Sequence, residues 1–263
     1  MSRGRYILPR GFNFGGYKLE RVGLLFDVHA PYHDKVAYYT ALDYLKGLKP
    51  KVTKLVLAGD YCDNYKISFW KSDPNRMEYE EEVNFVADML KELRKMFYRI
   101  PIDYLEGNHE ERLFRYLRDK APDLLFRNKI EDVLDLKRRN INYISNIDRM
   151  CAGKEPYKLG KLYVLHGHEK KVSMNAINLA RLFYLKCKCN VIAGHHHRED
   201  HTLVKKLDGS YEGAWTVGTL GKLSERYAPI NDWTHGFAYV DVFKDNWFEV
   251  HNKIIISGRV LNG

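Results

Sequence analysis

No stretch of the chain approaches the roughly 18 consecutive apolar residues that a membrane-spanning helix requires. The amino terminus, Met1 to Arg10, also lacks the apolar segment of a secretory signal. The expected location is therefore cytoplasmic, in a cell or an infected host. Cysteine is scarce: Cys62, Cys151, Cys187 and Cys189 are the four in 263 residues. Their spacing suggests no disulfide framework, and Cys187-Lys188-Cys189 has no second pair to complete a zinc knuckle, so free thiols are expected. Repeats, low-complexity tracts and Pro/Gly/Ser-rich linkers are missing too, which predicts a single domain over residues 1–263. Disorder is excluded by a composition of 45% hydrophobic and 29% charged residues.

Positive charge is what the chain has in excess. Lys and Arg number 43 against 34 Asp and Glu, giving a net charge of +9 and a pI near 9.2. A basic surface favours polyanionic partners such as nucleotides and nucleic acid, through counterion release. The charge is dispersed, with Lys137-Arg138-Arg139 the densest cluster, and a merely solvated basic surface would give the same count.

Hydrophobic patterning divides the chain. Through the first two thirds, short apolar runs alternate with helical periodicity: Val22–Phe26, Lys54–Ala58, Ile102–Leu105, Leu162–Leu165 and Asn190–Ala193 read as buried strands. Lys35–Leu48 reads as a helix. A longer one is predicted from Pro74, capped by Asp73, because Tyr79, Val83, Val86, Leu90, Leu93 and Phe97 form one apolar stripe. Further helices are predicted over Glu110–Arg118, Pro122–Leu136 and Met174–Leu185. Beyond residue 200 the pattern changes to strands and turns, over Thr202–Leu207, Ala214–Val217, Phe237–Phe243 and Trp247–Ile256. The expected fold class is α/β, with two mixed sheets packed as a sandwich flanked by helices in four layers. Its motif core is expected at residues 22–200, with C-terminal strands over 201–257 completing the second sheet.

Polar clusters follow five of these strands: Asp27-Val28-His29, Gly59-Asp60-Tyr61-Cys62-Asp63, Gly107-Asn108-His109-Glu110, His166-Gly167-His168 and Gly194-His195-His196-His197. Each alone is an ordinary loop or cap; Asn108 and Glu110, for example, suit a helix N-terminus. Together, each after an apolar strand, they are expected to converge in the crevice beyond the strand carboxyl ends. Imidazole and carboxylate groups, with no thiolate in the expected ligand set, suit borderline divalent ions such as Mn, Fe and Zn.

The order D-x-H, G-D-x-x-D, G-N-H-E, H-G-H, G-H-x-H resembles the calcineurin-like metallophosphoesterases, over residues 27–197. The resemblance implies a two-metal centre. Asp27, His29, Asp60 and His197 would hold one ion and Asp60, Asn108, His166 and His195 the other, with Asp60 bridging. His109 resembles the family's catalytic histidine, and Asp63 is placed to orient it and keep it protonated. Two ions bridged roughly 3.5–4 Å apart would ionise water near neutral pH for attack on phosphorus. His168, His196 and Arg112 adjoin these positions as candidate substrate or supporting contacts. His33 is left outside the ligand set. The implied cofactors are two divalent ions, foremost Mn, with Fe, Zn or Ni as alternatives.

Departures from the family pattern favour diesters. Protein phosphatases of this family carry Arg-Gly after the last aspartate of the second motif, where this chain has Asn64-Tyr65. The Gly194–His197 ending fits the phosphodiesterase and nuclease branches better, and the Gly107–Leu117 run resembles small phage and bacterial phosphoesterases. The expected substrate is a phosphodiester in a nucleotide or nucleic acid, with a phosphomonoester or phosphoprotein as the alternative. A non-catalytic scaffold would be expected to lose His109 or some ligands, and none is missing. A nucleic-acid-binding module without chemistry remains a competing reading, because Trp215 to Trp233 mixes aromatic and basic residues.

Overall fold

A computed structural model of the chain describes residues 20–69, 73–173, 176–225 and 228–263. The readings made on Met1 to Arg10, on Met174 and on part of the Trp215–Trp233 segment lie outside the described residues.

The amino half is a run of parallel strands joined by helical crossovers. Strand β1 (Glu20–Leu25) leads to helix α1 (Lys35–Gly47), β2 (Lys54–Ala58), α2 (Tyr79–Met96) and β3 (Ile102–Leu105). Next come α3 (Glu111–Lys120), a 3-10 turn (Pro122–Arg127), α4 (Ile130–Val133), β4 (Ile141–Ile144) and α5 (Asn146–Cys151). The carboxyl half holds β5 (Lys158–Leu159), β6 (Leu162–Leu165), α6 (Leu179–Cys187), β7 (Val191–Ala193), β8 (Asp200–Lys205) and β9 (Tyr211–Thr216). It closes with β10 (His235–Val242), β11 (Phe248–Ile256) and β12 (Arg259–Asn262).

Two mixed sheets result, of seven strands (β12-β11-β10-β1-β2-β3-β4) and five (β5-β6-β7-β9-β8). Their side chains sort into three cores, as strand alternation requires. Val22, Leu24, Val56, Leu105, Ala238 and Val240 of the first sheet meet Leu162, Val164 and Ile192 of the second, between the sheets. Leu55, Leu57 and Ile102 point the other way and are covered by Leu42 and Leu45 of α1 and Val86 and Leu90 of α2. On the far side of the second sheet, Val191 and Ala214 are covered by Leu179 and Phe183 of α6. The four-layer α/β sandwich expected from the sequence is the fold. No helix among the described residues is long and apolar enough to cross a membrane.

Besides shifts of a few residues, as in α6, which starts at Leu179, three boundaries differ from the sequence reading. The strands beyond residue 200 do not all complete the second sheet: β8 and β9 do, but β10–β12 extend the first, with β10 antiparallel to β1. The reason is burial on both faces. In β10 every residue after His235 is buried, with Phe237 and Tyr239 under the α1 layer and Ala238 and Val240 between the sheets. Such a strand needs an interior place, and the open edge of β1 supplies it. The long helix starts at Tyr79 rather than Pro74. Asp73 instead closes a turn by accepting from the Asn75 N–H at 2.9 Å, and Glu81 reaches back to the Glu78 N–H at 3.3 Å to begin α2. The helix expected over Pro122–Leu136 is broken into the 3-10 turn and α4.

Arg21 locks β10 onto β1. Its Nε donates to Asp241 Oδ1 at 2.6 Å and its Nη2 to Oδ2 at 2.5 Å, with both side chains about nine-tenths buried. Removing one partner strands a desolvated charge. Asp241→Ala is expected to lower unfolding free energy by about 3 kcal/mol in urea titrations; an unchanged midpoint would mean that this pair does not hold the added strands.

Candidate metal centre

The carboxyl ends of β1, β2 and β3 from one sheet and of β6 and β7 from the other open onto one crevice, and the five polar clusters meet there. The chain must turn sharply at each end. Asp27, His29, Asp60, His195 and His197 all take left-handed backbone conformations, with φ between 50° and 69°. Side-chain-bearing residues rarely adopt these angles, and their concentration marks backbone held in place by its surroundings. Gly107 is required for a different reason, since a Cβ there would overlap the Asp60 carboxylate and backbone.

Donor atoms converge in overlapping groups. Asp27, His29 and His197 offer atoms within 4.8 Å of one another, as do His29, Asp60 and His109, and Asp60, His166 and His195. Asp60 Oδ2 stands between them, 3.3 Å from His166 Nε2, 3.6 Å from His109 Nε2 and 4.0 Å from His29 Nε2. Asn108 Oδ1 lies 3.0 Å from His166 Nε2. His29 Nε2 and His197 Nε2 face each other at 3.0 Å beside Asp27 Oδ1, a buried oxygen that accepts no hydrogen bond from the described residues. Lone pairs aimed at a common point, next to an unsatisfied carboxylate oxygen, are what a divalent cation requires. Backbone contacts aim the remaining atoms: the His195 N–H donates to Asp27 Oδ2 at 2.9 Å and the His109 N–H to Asp60 Oδ1 at 2.9 Å. His166 Nδ1 sits 3.3 Å from the Ala58 carbonyl, and a proton held there turns Nε2 toward Asp60 and Asn108. A fourth group, Asp241, Glu249 and His251, lies at the opposite pole, where Arg21 already occupies both Asp241 oxygens.

Three buried carboxylates share this volume, and the imidazoles balance them. Burial resists ionisation of Asp63, yet His109 and His29 hold its carboxyl well below the usual carboxylate range. Burial likewise opposes charge on Asp60, and His109 and His166 overcome it. Burial lowers and the Asp60 and Asp27 carboxylates raise the pKa of His166, which ends up at about 10. His195 and His197 go the other way, pushed down first by burial, so their rings are neutral.

His109, Asp63 and Arg112 form a chain. His109 Nδ1 lies 3.0 Å from Asp63 Oδ1, and His109 Nε2 lies 2.8 Å from Arg112 Nη2. A guanidinium only donates, so Nε2 accepts in this contact while Nδ1 faces Asp63. Arg112 also donates to the Asp63 carbonyl at 2.6 Å. His168 borders the cluster, its ring nitrogens 3.8 Å from Glu111 and 3.6 Å from Glu169. His196 is not brought in. It is 4% exposed and turns toward the Val172 and Gly194 carbonyls and the Phe183 ring.

Several residues of this region were missed in the sequence. Glu110, which suits a helix N-terminus in the sequence, is a buried strut at the start of α3. Its Oε2 accepts from the Asp60 and Gly107 N–H groups at 2.8 Å each, and its Oε1 from the Tyr61 N–H at 2.9 Å and the Tyr104 hydroxyl at 2.7 Å. Asn64 donates to the His109 carbonyl at 2.9 Å, and Glu82 of α2, buried, accepts the Asn64 N–H. Thr219 donates to the Asp27 carbonyl at 2.7 Å, and Trp233 sets its ring against His197 at 4.6 Å. Glu110 had a signal in its place in Gly-Asn-His-Glu, and Asn64 in following Asp63 directly. Glu82 and Thr219 come from distant segments with no local mark.

A family model described as calcineurin-like phosphoesterase matches residues 21–258. The chain is also 23% identical over 238 residues to the gene 54 protein of Mycobacterium phage L5, covering 85% of this chain and 89% of that protein. The chain belongs to the calcineurin-like phosphoesterase family and is a metal-dependent phosphoesterase. The family implies divalent metal ions, and the donor set at the crevice fits them.

Two outcomes follow from these contacts. Glu110→Gln leaves one acceptor oxygen for donors that now share two, with an unsatisfied buried group costing about 1–3 kcal/mol. Urea unfolding is expected to show at least that loss, and calorimetry about 10–100-fold weaker Mn binding; wild-type values in both would remove the strut role. Glu82 is pushed up from 4.5 to about 7 by burial and then by Asp63. Its folded pKa exceeds its unfolded one, so between those values the folded protein keeps a proton that the unfolded chain has released. Stability is thereby lost as pH rises through that window. Glu82→Gln is expected to flatten this fall in urea midpoints taken across the window, whereas parallel curves would mean that Glu82 is ionised throughout.

Proposed function

We propose that this phosphoesterase hydrolyses phosphodiester bonds in nucleotides or nucleic acid, using two divalent ions, foremost Mn, in the cytoplasm of a cell or an infected host. Residues 1–263 act as one domain in this reading, since both sheets contribute to the crevice. The observation that carries it is Asp60 Oδ2, which faces His29 on one side and His166 on the other at 4.0 and 3.3 Å. A carboxylate so placed suits a bridge between two cation sites. Asp27, His29, Asp60 and His197 would hold one ion, and Asp60, Asn108, His166 and His195 the second. Bound there, divalent ions polarise phosphoryl oxygens and make water acidic enough to attack near neutral pH.

The chain's own groups do the rest. Arg112 carries a guanidinium at the rim, suited to a non-bridging phosphate oxygen. When Arg112 turns onto substrate it frees His109 Nε2 to take a proton from solvent, and the imidazolium then gives that proton to the leaving oxygen and returns to its neutral form. Asp63 keeps the ring aimed through Nδ1 and takes up the positive charge that protonation creates. Support for a diester comes from position 64. Where protein phosphatases of the family place arginine, Asn64 is buried and its side chain is spent on the His109 carbonyl.

The test is turnover of bis(4-nitrophenyl) phosphate and of 4-nitrophenyl phosphate by metal-stripped protein with Mn restored. Preferred diester cleavage, abolished in Asp60→Asn and reduced about 10²–10⁴-fold in His109→Ala, is expected. Preference for the monoester would replace the diester reading, and full activity without metal or in Asp60→Asn would overturn the two-ion centre.

A further inference from the structure

Helix α3 leaves the crevice carrying aromatic rings into solvent. Phe114 is 53% exposed, and Phe126, in the 3-10 turn that follows, is 69% exposed. Each has an arginine over its ring: Arg118 at 5.8 Å from Phe114 and Arg127 at 5.3 Å from Phe126. Glu111, Phe114, Arg115 and Arg118 are spaced as one face of a helix. One end of that face is at the crevice, because Glu111 lies 3.8 Å from His168, whose ring is 5.2 Å from that of His166. At a rise of about 1.5 Å per residue, Phe114 stands about 5 Å and Arg118 about 10 Å further along.

We propose that this face of α3, with Phe114 and Arg118 at its centre, binds single-stranded nucleic acid and delivers it to the crevice; this rests on the phosphodiesterase reading above. Exposed rings give bases a surface to stack on without regard to sequence, and arginines beside them neutralise the backbone. Over residues 111–129 the chain has six Lys and Arg against three Asp and Glu. That charge suits a polyanion. A second copy of the chain would bring like charges together, at +9 each.

Fluorescence anisotropy with labelled deoxythymidine and uridine 12-mers in EDTA tests binding apart from cleavage. The variant combines Phe114→Ala with Arg118→Ala, both at exposed positions, and its fold is checked by circular dichroism. Wild type is expected to bind at least one oligomer, and the variant about 10-fold or more weakly. The variant should also cleave the oligomer with correspondingly lower kcat/KM while keeping wild-type turnover of bis(4-nitrophenyl) phosphate with Mn. Equal affinities, or no binding of either oligomer by wild type, would overturn the proposal. So would a wild-type dimer that the variant dissolves without change in oligomer affinity. Oligomer binding lost in the variant, with no diester cleaved by either protein, would uphold the binding face and sink the phosphodiesterase reading.

Discussion

One buried carboxylate sets the positions of two loops at once. Glu110 collects the N–H groups of Asp60, Tyr61 and Gly107 and the Tyr104 hydroxyl. The turn after β2 and the turn after β3 are therefore one rigid unit. The Asp60 carboxylate, on the first turn, in turn receives the His109 N–H from the second. A carboxylate that satisfies several backbone donors is strongly held and costly to mimic. The crevice inherits its shape from that unit.

The left-handed backbones of Asp27, His29, Asp60, His195 and His197 show what the rigidity is needed for. Such conformations persist only where neighbours over-determine them. Here the neighbours are strand ends on both sheets, and the loop through Thr219, Leu220 and Gly221, which donates to the Asp27 carbonyl. The sandwich joins the two halves of the donor set: Asp27 from β1 and His195 from β7 meet because the sheets pack face to face. Electrostatics then follows from position. Carboxylates packed this closely stabilise positive charge, first on His29 and His166 and, in a metal-dependent enzyme, on cations.

Much of this was legible in the chain. Val22–Phe26 and Lys54–Ala58 are apolar runs too short for helices, and each ends in a polar cluster, so their place as buried strands under a site could be read directly. The motif order carried the donor types. Less legible were features that depend on a partner elsewhere. Asp73 looked like a helix cap, but Glu78 and Glu81 compete for that role and win because Asp73 closes its own turn. Glu110 suited a helix N-terminus, since nothing local reveals that Tyr104 and four backbone N–H groups wait for it.

The sequence by itself determined the α/β class, the five strand-end clusters and the family's set of candidate ligands, because strand periodicity and local turns are short-range properties. Tertiary structure alone decided that β10–β12 join the first sheet, that His196 turns into the core while His168 stays at the crevice, and that Arg112 caps His109. These depend on which edges and faces meet. That choice is made by burial and hydrogen-bond satisfaction summed over distant segments, and no local stretch of sequence encodes it.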